Sequence, residues 1–205
     1  MKQISAYVLL ALVTLISCNT NNGGKEKSGQ SGQFGQFGQF GIYETVMGQD
    51  LLSQGTGELA TTKVIPNTDP LSPVVAYSHV DSATSVLNKG TDSIGFLLTA
   101  QPVDPEKNYY AVVAVKNQPA VTSSDIKKTK AGKNAVEICF TQKGAVKWAE
   151  FTRNNTGKMI AFVINDRIYT ITTVMAEIRN GMALMNGLEN EETAAKISET
   201  LNAAR

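Results

Sequence analysis

Apolar positions recur most regularly in the last third of the chain. Residues 135–140 alternate between the two faces of an extended segment, which predicts a strand. Residues 142–153 repeat small or apolar side chains every three to four positions, which predicts a helix with one buried face. That face would contain Ala145, Trp148, Ala149 and Thr152.

Three more strands and a second helix are predicted beyond this point. Residues 158–164 are apolar on both faces, as a central strand is. Residues 167–174 are predicted to be the second strand of a hairpin. Its turn would be Asn165-Asp166, two residue types that tolerate positive φ. Residues 182–185 form a short apolar run. Asn190 is expected to cap the final helix, because its side chain can accept from an open N–H group of the first turn. The buried stripe of this helix would be Ala194, Ile197, Leu201 and Ala204.

The middle of the chain is less regular. Strands are predicted at residues 58–65, 93–99 and 109–115, and short helices at residues 81–87 and 123–130. The second of these helices would begin at a pair of serines, whose hydroxyl oxygens can accept from open N–H groups. The order of the elements predicts an α+β fold in which helices pack on a mostly antiparallel sheet.

The first residues have the pattern of an export signal. A lysine near the start precedes apolar residues 6–16, a run that is too short for a membrane-spanning helix of roughly 20 residues. Leu15-Ile16-Ser17-Cys18 resembles the lipobox of bacterial lipoproteins, in which the cysteine thiol receives diacylglycerol and the chain is cleaved before it. The resemblance implies a signal peptide at residues 1–17 and lipidation of Cys18. The alternative is an ordinary secretory signal with an incidental cysteine.

The segment after this cysteine is predicted to be a tether. Residues 18–41 are rich in Gly, Ser, Asn and Gln, and such a segment cannot bury enough apolar area to offset its ordering entropy. Its phenylalanines, Phe34, Phe37 and Phe40, either dock on the domain, touch the membrane interface or have no role, and we favour the last. The globular unit would then comprise an N-terminal part at residues 42–107 and a clearer domain at residues 108–205.

Composition excludes several classes of function. The chain has 19 Lys and Arg against 18 Asp and Glu, a balance that argues against a polybasic nucleic-acid binder. One histidine and two cysteines nearly exclude a His/Cys metal centre, because a structural zinc takes four such ligands and a catalytic zinc usually three. We therefore expect no cofactor, no metal and no small-molecule substrate, and a protein that binds rather than catalyses.

Individual residues that could do chemistry also have simpler interpretations. Ser78, His79 and Asp81 lie along one segment, whereas a catalytic triad converges from different elements, so His79 is interpreted as a loop residue. Cys139 alternates with apolar neighbours and is expected to be a small buried hydrophobe. Trp148 is expected in the core, with an acceptor for its N–H group.

Two other clusters were weighed in the same way. The glycines at 48, 55 and 57 match neither the phosphate-binding loop nor the dinucleotide-binding pattern. Lys127, Lys128 and Lys130 form a small basic cluster, which we interpret as a solvated helix face rather than a contact with lipid headgroups.

The region from Val136 to Ala204 resembles the head of the first large periplasmic domain of SecD, an accessory subunit of bacterial protein export. The ordered pieces that match are Gly144-Ala145, Phe151-Thr152, Asn155-Thr156-Gly157-Lys158, Ala161-Phe162-Val163-Ile164, Ile178-Arg179-Asn180-Gly181, Asn186-Gly187 and Glu191-Glu192-Thr193-Ala194. Residues 120–126 resemble the segment that enters this head. The hairpin tip is Asn165-Asp166 where the family has Asp-Gly, and Ile171-Thr172 replaces its Ala-Pro.

The resemblance implies an α+β head and a contact with emerging unfolded polypeptide. SecD couples export to a proton gradient through six membrane spans. We find no segment of this sequence that is long and apolar enough to be such a span. Our first hypothesis is a lipid-anchored envelope protein, facing the periplasm or exterior, that binds exported or envelope polypeptides. The second is an interaction or inhibitor module for one folded envelope partner, and an envelope enzyme is a weaker third.

Overall fold

A computed structural model describes residues 40–46, 74–76, 88 and 93–204 of the chain. Its strands, in chain order, are β1 (Phe40–Val46), β2 (Val74–Ala76), β3 (Ile94–Thr99), β4 (Tyr109–Lys116), β5 (Val121–Thr122), β6 (Ile126–Ala131), β7 (Val136–Phe140), β8 (Met159–Ile164), β9 (Arg167–Thr173) and β10 (Met182–Met185). Its α-helices within the described residues are α1 (Gln142–Asn154) and α2 (Glu191–Ala203). The predicted α+β class is confirmed.

Seven of these strands form a sheet in the order β2-β4-β3-β9-β8-β1-β5. All neighbours are antiparallel except β3 and β9, which run parallel. Strand β1 also pairs with β4, with Thr45 opposite Val115 and Val46 opposite Ala114. This extra pairing closes β1, β8, β9, β3 and β4 into a small barrel, so the mostly antiparallel sheet that the sequence predicts is curled on itself.

The barrel interior is filled by side chains from all five of its strands. They are Tyr43, Leu97, Val113, Val115, Ala161, Val163 and Ile168. Tyr43 is the one polar group among them, and burial, with a smaller contribution from Asp166, raises the pKa of its phenol to about 12. The phenol therefore stays neutral at physiological pH, as a side chain in a packed core should.

A second layer covers one outer face of the barrel. Strands β10, β7 and β6 form a small antiparallel sheet in that order, and α1 and α2 pack with it against β1 and β8. The two layers meet in one continuous apolar core. Its largest members are Phe40, Ile42, Phe140, Trp148, Ile160, Phe162, Met185 and Leu201.

Helix ends and the hairpin follow the local signals of the sequence. The Thr141 hydroxyl accepts from the backbone N–H of Gly144 (3.0 Å), which begins α1, and the Asn190 side chain accepts from the N–H of Thr193 (2.8 Å), which begins α2. Asn165 and Asp166 have φ angles of 47° and 63°, the double positive value of the predicted two-residue turn. The predicted cap at Asn190 and the predicted turn are confirmed, as are the strands in the regions 93–99, 109–115, 135–140, 158–164, 167–174 and 182–185. The cap at Thr141 is an addition that the structure makes.

The helix predicted at residues 123–130 is wrong. The chain makes a single 3₁₀ turn at Ser123–Asp125 and then extends as β6, which pairs with β7. Thr122, rather than a serine, precedes this turn, and its N–H donates to the Asp125 carboxylate at 3.1 Å. Ile126 and Thr129 are buried while the lysines between and beyond them are exposed, a pattern that β6 satisfies through a bulge between Ile126 and Lys128.

Strand β1 begins inside the predicted tether. Phe40 is only 1% exposed and Gly41 is opposite Val163, so these two residues belong to the folded unit and Phe40 has a packing role. The expectation that the repeated phenylalanines have no role is therefore wrong for Phe40. The remaining two, the predicted signal peptide, the strand at 58–65 and the helix at 81–87 lie outside the described residues.

Candidate functional site

An open apolar groove lies between the end of β9, the segment that follows it, and the small sheet. Its volume is about 530 Å³. Its deeper part is lined by buried side chains of α1, β8, β10 and the segment that follows β9. They are Trp148, Ile160, Phe162, Val174 and Ala183. This is the size of cleft that holds a drug-sized molecule or a short stretch of polypeptide.

Trp148 connects the groove to the core. Helix α1 projects it against Phe140 and Phe162, with ring centroids 5.6 and 6.5 Å away. Its Nε1–H group donates to the carbonyl oxygen of Met182 on β10 at 2.9 Å. The prediction of a core tryptophan with a satisfied N–H group is therefore confirmed, and the bond also holds β10 beside the groove.

The segment between β9 and β10 forms one wall. The buried hydroxyl of Thr152 accepts from the backbone N–H of Ile178 at 2.9 Å, which ties this segment to α1. Gly181 then turns the chain into β10 with a φ angle of 68°, in the left-handed region that glycine adopts without strain. The wall is thus held at both ends by the fold.

The rim of the groove exposes large apolar side chains. Met175 is 83% exposed and Leu184 is 54% exposed, while most other large apolar residues of the described chain are buried. Glu137 is the one ionisable residue among those that line the groove. An exposed apolar surface next to a concave apolar floor is typical of a binding site.

One cluster of paired charges lies away from the groove. Glu44 lies between Lys116 and Lys158, with N–O distances of 2.7 and 3.1 Å on the outer face of the barrel. Burial tends to raise the pKa of this carboxyl, but the hydrogen bonds from the two lysines outweigh it and hold the pKa below its usual value. This cluster connects β1 to β4 and to the residue that precedes β8, and its geometry indicates a structural role.

The residues singled out from the sequence do not converge on a catalytic centre. Cys139 is half-buried and lies beside Glu137 on the outer face of the small sheet, so the expectation that it is fully buried is wrong. Lys128 and Lys130 are exposed on strand β6 rather than on a helix. Cys18, His79 and the glycines at 48, 55 and 57 lie outside the described residues.

Neither a metal-binding cluster nor a helix that could span a membrane occurs in the described residues. No group of three or more His, Cys, Asp or Glu in this part of the chain is arranged to hold a metal ion. None of its helices is long and apolar enough to cross a membrane.

Sequence reasoning missed Met175 and Leu184 as site residues. The run Met182-Ala183-Leu184-Met185 is predicted as a strand, and its alternation requires every second side chain to face outward. An apolar residue at that outward position is the signal that was available. Met175 carried no such signal, because its exposure follows from the path of the segment after β9.

Comparison with known proteins gives a consistent family. The model of the SecDF P1 head subdomain matches residues 98–205. The protein translocase subunit SecDF of Thermus thermophilus is 35% identical over 88 residues, 40% of this chain and 12% of that protein. The SecD subunit of Rickettsia felis is 25% identical over 118 residues, 56% of this chain and 23% of that protein.

A comparison with solved structures also gives a match. It is the structure of SecDF, described as a membrane component that enhances protein export, with a TM-score of 0.42 and 18% identity. The similarity covers 80% of this chain and 93% of that one. The chain thus spans less than a quarter of the two curated relatives named above.

Proposed function

Because this chain belongs to the SecDF P1 head subdomain family, we propose that it assists protein export by binding unfolded polypeptide in the apolar groove. The observation that supports this most directly is the exposed rim of Met175 and Leu184 above an apolar floor. Unfolded chains expose the apolar side chains that such a groove can cover, whereas folded proteins bury most of theirs. The relatives are named as subunits of the protein translocase, which handles polypeptide.

The proposed activity is non-enzymatic. The groove presents thioether, aliphatic, aromatic and threonine side chains, and its single ionisable residue, Glu137, is not paired with another acid or base among the lining residues. General acid–base or nucleophilic catalysis requires such a pair within hydrogen-bond distance. The Cys139 thiol donates to Glu137 at 3.8 Å but does not line the groove. Burial of apolar surface is the interaction that this site can supply.

We also propose that lipid on Cys18 holds the protein at a membrane of the cell envelope. The support is the lipobox-like Leu15-Ile16-Ser17-Cys18 at the end of an apolar signal. Two or more acyl chains give stable anchoring, since each buried CH₂ contributes roughly 0.8 kcal/mol. The head would then act beside the membrane at which exported chains emerge.

The function is tested by photo-crosslinking in living cells. A benzophenone amino acid placed at Met175 is expected to crosslink to many unrelated exported polypeptides, because this side chain stands at the rim of the groove. The matched control is Val146, which is 65% exposed on α1 and does not line the groove. We expect at least a tenfold lower yield from that position.

The possible outcomes separate the hypotheses. A ladder of products from Met175 and few from Val146 supports the proposal. One dominant product of a single folded protein would instead support the interaction-module alternative. Equal yields from both positions, or no product from either, would contradict a role of the groove in binding polypeptide.

A further inference from the structure

We propose that the groove takes its polypeptide by strand addition, and this proposal rests on the function above. An extended segment adds to the free edge of β9 at Ile171 and Thr173. Every second side chain of this guest segment then points into the groove. The ligand class is therefore an extended stretch with apolar residues at alternate positions, recognised partly through its backbone.

The register of β9 fixes which of its backbone groups are free. The N–H of Val174 donates to the carbonyl of Lys158 at 2.9 Å, and Thr172 is opposite Ile160 two residues along. In an antiparallel pair, hydrogen-bonded and non-hydrogen-bonded positions alternate. The N–H and C=O groups of Ile171 and Thr173 therefore point away from β8.

Strand β3, the neighbour of β9 on that side, pairs only with the first residues of β9. Strand β3 pairs with β9 at Arg167 and Ile168, and its last contact is the N–H of Ala100 donating to the carbonyl of Ile168 at 2.7 Å. No other strand of the described residues pairs with β9 on this edge. The edge continues past this point beside the groove, which Thr172 and Thr173 help to line.

The other strand edge that borders the groove is blocked by the chain itself at both of its ends, on either side of Leu184. On β10, the N–H of Met182 donates to the Asn180 side chain at 3.1 Å and its carbonyl accepts from Trp148 at 2.9 Å. Thr170 Oγ1 donates to the carbonyl of Asn186 just beyond the same strand at 2.7 Å. A guest strand cannot displace these groups without breaking the bonds that hold β10 in place.

The far edge of the small sheet is blocked in the same way. The Asn202 amide of α2 accepts from the N–H of Thr129 at 3.0 Å and donates to its carbonyl at 3.4 Å, as a neighbouring strand would. Proteins commonly block exposed edges because an open edge pairs with other chains. Among the described residues, nothing pairs with this edge of β9 beside the apolar groove, which is where pairing would be useful.

The side chains of the groove define the guest further. Thr172 lies between the two pairing residues and faces the groove, so guest residues level with it face the same apolar floor. The only ionisable lining residue is the carboxylate of Glu137, which disfavours acidic guests and favours basic ones. A neutral or basic segment of alternating apolar residues satisfies both features.

Backbone methylation distinguishes strand addition from simple apolar contact. The probe is a fluorescent ten-residue peptide with leucine at every second position and threonine or lysine between, bound to the purified full-length chain. Alternate N–H groups of a strand point to the same edge, so methylating the leucine amides blocks one edge and methylating the intervening amides blocks the other. We expect one isomer to bind at least tenfold more weakly and the other to bind within twofold of the parent.

A matched pair of variants tests the protein side. Thr173→Pro removes the outward N–H, which the fold itself does not use, while Thr173→Ala keeps it. We expect the proline variant to bind at least tenfold more weakly than the alanine variant, with thermal unfolding confirming that both fold.

Failure of this inference and failure of the proposed function give different results. If the unmethylated peptide binds and both methylated isomers bind equally, or if both Thr173 variants bind alike, strand addition is wrong and groove binding stands. If the parent peptide does not bind at all, the proposed function is overturned together with the inference.

Discussion

Asp125 is a buried carboxylate that connects two elements. It is 2% exposed, it accepts from the Thr122 N–H, and Lys147 Nζ lies 2.9 Å from it. Burial tends to raise the pKa of this carboxyl, but the hydrogen bond from Lys147, supported by Thr122, outweighs it and holds the pKa below its usual value. The ion pair therefore stabilises the folded state wherever the carboxylate is charged.

The sign of this effect predicts a pH dependence. Because the folded-state pKa is depressed, the stabilisation is present above the ordinary value of 3.8 and is lost as pH falls through the folded-state pKa. Lys147→Met leaves a buried carboxylate without its cation, so we expect the free energy of unfolding at pH 7 to fall by about 1–3 kcal/mol. The deficit should shrink as pH falls through the folded-state pKa of Asp125, because the carboxyl then becomes protonated in both proteins.

Urea unfolding between pH 3 and pH 7 measures this difference. Lys143→Met is the matched control, since Lys143 is an exposed lysine on the same helix. It should leave the pH profile of the parent unchanged. A constant deficit for Lys147→Met across the whole pH range would show that the charge of Asp125 is not its cause.

Helix α1 is the element that positions the groove. Its first turn packs directly on the 3₁₀ turn, where the N–H of Thr141 donates to the carbonyl of Asp125 at 2.8 Å. Its middle places Trp148 in the core, and Thr152 ties down the segment after β9. The close approach at its start depends on Gly144, because a Cβ there would lie 2.5 Å from the carbonyl oxygen of Asp125.

Gly144→Ala tests this packing. Helix propensity alone would favour alanine by about 1 kcal/mol, but the clash with backbone atoms should dominate and lower the free energy of unfolding by about 1–3 kcal/mol. Glu150→Ala, at an exposed position of the same helix, should change it by less than about 0.5 kcal/mol. Chemical denaturation of the three proteins measures the effect, and a Gly144→Ala variant at least as stable as the parent would contradict the proposed contact.

At the scale of the whole molecule, the proposed anchor and the barrel are close in sequence. Strand β1 begins at Phe40, 22 residues after Cys18, and it pairs with β8, β5 and β4. The strand that closes the barrel is therefore also the one that follows the predicted tether. Any pull on the anchor would reach the folded unit through this strand.

The anchor itself is tested by Cys18→Ser. Cells grown with an alkyne analogue of palmitate should label the parent chain and not the variant, because the serine hydroxyl is not the thiol that this modification uses. The variant should also move from the membrane fraction to the soluble fraction, with at least a tenfold fall in the ratio of membrane-bound to soluble protein. Cys139→Ser, which alters the other cysteine, should keep both label and location, and loss of label there would contradict lipidation at Cys18.

The sequence by itself determined most elements of the second half of the chain. The helix cap at Asn190, the turn at Asn165-Asp166 and the stripes of α1 and α2 depend on neighbours a few residues apart, so their signals are local. The order of these elements was enough to identify the α+β class and the resemblance to SecD. Trp148 was recognised as a core residue for the same reason.

Tertiary structure decided what depends on distant partners. Residues 126–131 became a strand because β7 offers a ladder that no local signal reveals, and Phe40 became core because β8 and β5 take up the strand that it begins. Closure of the barrel requires β1 to meet β4, about 70 residues away in sequence. The groove exists only because β3 leaves β9 after Ile168 while β10 lies opposite, a relation between strands that no single segment contains.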